Sequence, residues 1–109
     1  RYSYPIDIHP MTPDRNGMAG FVEAVSMRHG DGESYSIPYR CLVPKGLNNV
    51  LVAGRCIGAD GGMQASARVI PCCYITGQAA GVAAAVCAED GVCARDADVD
   101  KIIRCIKQL

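Results

Sequence analysis

The chain has no surplus of charge of either sign: 11 Lys and Arg face 11 Asp and Glu, for a formal net charge of zero. It also lacks a Lys/Arg cluster, and both nucleic acid and an anionic membrane surface need a basic face as their landing site. Neither class of partner is expected. No signal-peptide pattern stands at the amino end and no C-x-x-C pair occurs. The 7 cysteines are odd in number; Cys72 and Cys73 are adjacent, and Cys87 and Cys93 have five residues between them. That spacing argues against a secreted disulfide framework and against a zinc site. Two readings of the cysteines remain. They are reduced, small core residues of a cytoplasmic protein, since most sit among apolar neighbours, or Cys72 and Cys73 form a redox or metal pair. The first reading assigns no metal ligand.

What is present suits one small globular domain. Of the 109 residues half are hydrophobic and a fifth charged, within the usual domain size of ~100–150 residues. The sequence does not open on methionine, and it reads as a segment cut from a longer protein.

Along the chain, Tyr2, Tyr4, Ile6 and Ile8 alternate as in a strand with one apolar face, with Pro5 confined to an edge or bulge. His9 follows as a candidate acid/base or substrate-binding group, against a structural or merely solvated histidine. Residues 11–20 carry the turn formers Pro13, Asp14, Asn16, Gly17 and Gly20. Phe21 to His29 reads as a strand, with Glu23 an awkward member of its apolar face. Gly30-Asp31-Gly32 turns it, and Tyr35-Ser36-Ile37 returns it as a β-hairpin. Arg40 is a candidate for binding a substrate carboxylate, against an exposed structural arginine. Pro44-Lys45-Gly46 is a further turn signal.

The stretch from Asn49 to Gly91 organises the rest. Val50-Leu51-Val52-Ala53 reads as one buried strand. Gly54 to Gly62 is a glycine-rich connector, and Arg68-Val69-Ile70-Pro71 is a helix entrance, because proline is tolerated in a first turn. The helix runs to Ala88 and stops at Glu89-Asp90-Gly91. Between Val69 and Ala88 there is no formally charged residue, and a span of about 20 apolar residues is long enough to cross a bilayer. Pro71, Thr76, Gly77, Gln78 and Gly81 lower its hydrophobicity, however, and no basic flank marks a cytoplasmic side. A helix packed within protein is the preferred reading, and no membrane span is expected. Its apolar surface extends around most of the circumference, which a chain this short cannot cover. A larger parent protein or a homo-oligomer is implied. Last, Asp96 to Asp100 offers caps for an amphipathic helix carrying Val99, Ile102, Ile103 and Ile106.

Three blocks in this order carry a resemblance: Ile37-Pro38-Tyr39-Arg40-Cys41-Leu42-Val43-Pro44, then Asn49 to Ile57, then Arg68-Val69-Ile70-Pro71 with Gly77-Gln78-Ala79-Ala80-Gly81. Together they resemble the C-terminal region of FAD-dependent oxidoreductases related to succinate dehydrogenase flavoproteins and glutathione reductase. The resemblance implies an α+β fragment of a Rossmann-like α/β FAD-binding fold, with hairpin strands, one buried strand, a long buried helix and a C-terminal amphipathic helix. It further implies that residues 1–48 belong to a substrate or cap domain and its connecting strands, and residues 49–109 to the FAD-binding domain. The backbone at Arg68, Val69 and Ile70 would face the N1–C2=O edge of the flavin, where a helix N-terminus stabilises the negative charge of the reduced ring. Gly54 would let the cofactor approach the backbone, and Gly58, Gly61 and Gly62 would shape a loop over the flavin. Many relatives have an acidic residue after that first glycine. Here Arg55 stands in its place, so no carboxylate bond to the ribityl chain is implied.

The Gly-x-Gly-x-x-Gly fingerprint that holds the ADP half of a dinucleotide is not among these residues. On the family reading it lies upstream, the preceding segment is the main partner, and the substrate is an unidentified small molecule. A self-contained oligomerising module without a catalytic role is the alternative of a different class.

Overall fold

A carboxylate starts the first helix in a stretch whose glycines read as a connector. In the computed structural model, which describes residues 3–5 and 29–109, Asp60 Oδ1 accepts the Met63 N–H at 2.7 Å. Such a cap satisfies one of the four N–H groups that a helix start leaves without a partner. Helix α1 then spans Gly61–Ala67. Gly61 and Gly62 would cost it ~1 kcal/mol each in an interior, but they occupy the first turn, and Met63, Gln64 and Ala65 behind them are good helix formers.

Helix α2 spans Ile70–Asp90, with Pro71 in its first turn as expected. It ends where Gly91 adopts φ 65°, the left-handed conformation that closes a helix, and donates its N–H to the Cys87 carbonyl. No atom would obstruct a Cβ at Gly91. Gly91→Ala is therefore expected to cost only the backbone penalty of a left-handed residue, about 1 kcal/mol, measured as a shift in the urea midpoint at unchanged slope. Helix α3 spans Val99–Ile106; Asp98 caps it, accepting the Lys101 N–H at 3.0 Å. Three short 3-10 turns, Tyr39–Leu42, Gly54–Cys56 and Ala94–Asp96, complete the regular structure of the described residues.

Two small cores hold these pieces. In one, Ala67 and Cys72 pack with Tyr35, Ile37, Ile57, Met63 and Val69. In the other, Ala83 and Val86 of α2 pack against Ile102 of α3, flanked by Tyr39 and Leu51. The buried residues of α2 are Cys72, Thr76, Ala83 and Val86, one narrow stripe at helical spacing. Tyr39 Oη donates to the Ala94 carbonyl at 2.7 Å and the Ala94 N–H donates to the Asn48 carbonyl at 2.9 Å. Lys101 reaches back to the end of α2, with Nζ 2.9 Å from Glu89 and 2.7 Å from Asp90. These two carboxylates, Asp90 first, raise the Lys101 pKa above its ordinary value. The pair lies at the surface, where ion pairs contribute little.

The expected α+β, Rossmann-like architecture is not what the described residues form: they are helical and contain no strand. Val50 to Ala53, expected as a buried strand, is extended without a ladder. Val50 is 39% exposed, and the bond that links this run to an earlier segment is Val52 N–H to the Leu42 carbonyl at 2.8 Å. A strand exists only through its neighbours, and none of the described residues pairs with this run in a ladder. The hairpin is likewise absent where it can be seen. Its turn forms, with Glu33 N–H on the Gly30 carbonyl at 3.0 Å, but Tyr35 makes only an isolated bridge and Ser36 and Ile37 are irregular. The outgoing arm at residues 21–28, the alternating run at Ile6 and Ile8, and His9 lie outside the described residues. The long helix is present but not buried as expected, with Ile70 and Tyr74 60% and 74% exposed. Apolar composition alone could not bury it, because the described residues pack against one side. By length and composition alone α2 could also cross a membrane, a test that core helices of soluble proteins meet too.

Candidate functional site

Gly54 lies at the junction of the extended run and its 3-10 turn, with φ 64°. A side chain there would be strained, and a Cβ would stand 3.5 Å from Cys73 Sγ. The backbone can turn so closely against α2 because the residue is glycine. Its N–H donates to Thr76 Oγ1 at 2.9 Å, and Thr76 Oγ1 donates in turn to the Cys72 carbonyl at 2.7 Å. Thr76, buried in the middle of an apolar helix, thus ties the Gly54 turn to α2 through one hydroxyl.

A second tie lies one residue on. Arg55 Nε donates to the Arg68 carbonyl at 2.9 Å. Arg68 is the residue that closes α1, its N–H still on the Gln64 carbonyl at 3.1 Å, and Val69 after it is the N-cap of α2. No side chain caps that start. Cys72 and Cys73 N–H both turn back to the Val69 carbonyl, at 3.1 and 3.3 Å, and Pro71 has no N–H to offer. Gly54, Arg55, Ile57, Ala59, Gln64, Ala67 and Arg68 line a cleft of about 10 Å³ at this junction. It has room for about one water molecule.

Of the expected site residues, then, Gly54, Arg55, Arg68, Val69 and Ile70 come together around the Gly54 turn and the start of α2. Gly61 and Gly62 lie nearby in chain order, but as the first turn of α1 and not as a loop. Arg40 is exposed on the 3-10 turn Tyr39–Leu42, and the next residue of that turn, Cys41, accepts the Gly58 N–H on its carbonyl at 2.8 Å. Three residues that the sequence reading left without a role complete the neighbourhood. Thr76 and Gln64 are two. The third is Ser66, 1% exposed, which accepts from Tyr35 Oη at 2.5 Å and donates to the Tyr4 carbonyl at 2.6 Å. The signal that could have found Thr76 is a lone hydroxyl on an apolar helix, since a buried hydroxyl has to find a partner.

The electrostatics bear on the cysteine pair. Burial, and then the neighbouring Cys73, push the Cys72 thiol pKa up, and Cys72 is 0% exposed. A reactive thiol needs the opposite, a lowered pKa and access, so the reading of Cys72 as a small core residue is favoured. Among the described residues no three His, Cys, Asp or Glu side chains are grouped to hold a metal ion. Burial also raises the pKa of Tyr35, with the Ser66 bond acting against it, and that of Tyr39.

The backbone at the start of α2 has no side-chain cap, but Pro71 has no N–H and those of Cys72 and Cys73 are bonded to the Val69 carbonyl. What it offers an electron-rich group is therefore the partial positive charge of the helix start and the Ile70 N–H. The water-sized cleft cannot enclose a three-ring system. These residues offer an edge, not a pocket.

In comparison with known proteins, a family model described as "FAD dependent oxidoreductase" matches residues 1–106. No curated protein and no solved structure gave a match.

Proposed function

We propose that this chain, which belongs to the FAD dependent oxidoreductase family, is the part of a flavoenzyme that closes over the flavin end of FAD. The match across nearly all of the chain, over the same residues that form the Gly54–Arg68 junction, carries this reading. The cofactor of the family is FAD, which when bound supplies the oxidation–reduction chemistry. What this chain contributes is backbone. Gly54, turned tightly against Cys73 of α2, brings the main chain of the connector up to the start of that helix. Arg68, Val69 and Ile70 border the ring with the positive end of α2, where a developing negative charge is stabilised by ~0.3–1 kcal/mol per exposed interaction and more when partly buried. Arg55, Gly61 and Gly62 flank them.

Residues 49–109 are, on this reading, the C-terminal part of the FAD-binding domain, completed by a preceding segment that carries the dinucleotide fingerprint. The exposed Ile70, Tyr74 and Ile75 are where that segment would cover α2. The seven cysteines are unpaired, in keeping with a reducing compartment such as the cytoplasm.

The test is flavin binding. The 109-residue chain alone, titrated with FAD and passed over a desalting column, is expected to retain no stoichiometric flavin absorbance. Joined to its preceding dinucleotide-binding segment it should retain one flavin per chain. A tight, stoichiometric flavin spectrum from the 109 residues alone would overturn the division of the site, and a longer protein that binds no flavin would overturn the flavin site itself.

A further inference from the structure

We draw no further inference here: the strongest candidate, the open apolar groove of about 500 Å³ between the Ala80, Ala84 and Ala88 side of α2 and the extended run at Asn49 and Leu51, is an unpartnered face, and nothing in the structure shows what covers it.

Discussion

Replacing Ile102 by alanine should strongly destabilise the packing of α3 on α2. Ile102 is 3% exposed, and it is the α3 residue set against Ala83 and Val86 of α2. Two of the three fully buried members of that cluster are already small or medium in size, so the isoleucine provides most of its volume. Truncation of a buried isoleucine to alanine costs about 2–5 kcal/mol. Because Leu51, Val82 and Cys105 around it are only partly buried and can settle inward, the lower half of that range is expected. Against a total stability of about 5–15 kcal/mol, this is a large fraction. Urea unfolding of the 109-residue chain followed by circular dichroism gives the number. A loss below ~1 kcal/mol would mean that α3 is not docked on α2 as described.

Thr76→Val is the second large effect. The substitution keeps the shape of the side chain and removes the hydroxyl, so the Gly54 N–H loses its acceptor. The Cys72 carbonyl also loses the hydroxyl proton, but within a helix it keeps the i+4 backbone bond, and hydroxyls bonded in this way slightly weaken a helix. The two effects oppose each other, and magnitudes decide between them. A polar group stranded out of water costs about 1–3 kcal/mol, well above the gain from freeing the helix. A net loss of about 1–2 kcal/mol is expected, with Thr76→Ser restoring most of it. If valine and serine at this position are equally stable, the bond to Gly54 is not holding the turn.

The parts of this structure that could be read in the sequence are those whose cause is local. Pro71 opens α2, Gly91 closes it, and an aspartate in the run before Val99 caps α3; each acts within one turn of itself. The three blocks that resembled a flavoprotein did so because their order survives whatever fold surrounds them. Helix α1 was hidden by Gly61 and Gly62, whose turn-forming habit outweighed the cap signal of Asp60 three residues before Met63. The run Val50 to Ala53 has the composition of a strand, but strand formation is decided by a partner at a distance. The junction of Gly54 with Arg68 was legible only as two separate motifs. The residues that join them, Thr76 and Arg55, act by single hydrogen bonds across 22 and 13 positions of sequence, which no period or composition encodes.

Those distant ties also set the order in which the molecule can assemble. Helices form from neighbouring residues in about a microsecond or less. The bonds that join the pieces span far greater separations: 62 positions between Ser66 and Tyr4, and 55 between Tyr39 and Ala94. Closing such loops costs entropy before any contact repays it. The expected refolding is therefore two-phased in character, with rapid gain of helical signal and a slower step in which Tyr39 meets the turn after α2. Until that step completes, the apolar face of a preformed α2 stands open to water and to other chains, and the yield of refolding should fall as protein concentration rises.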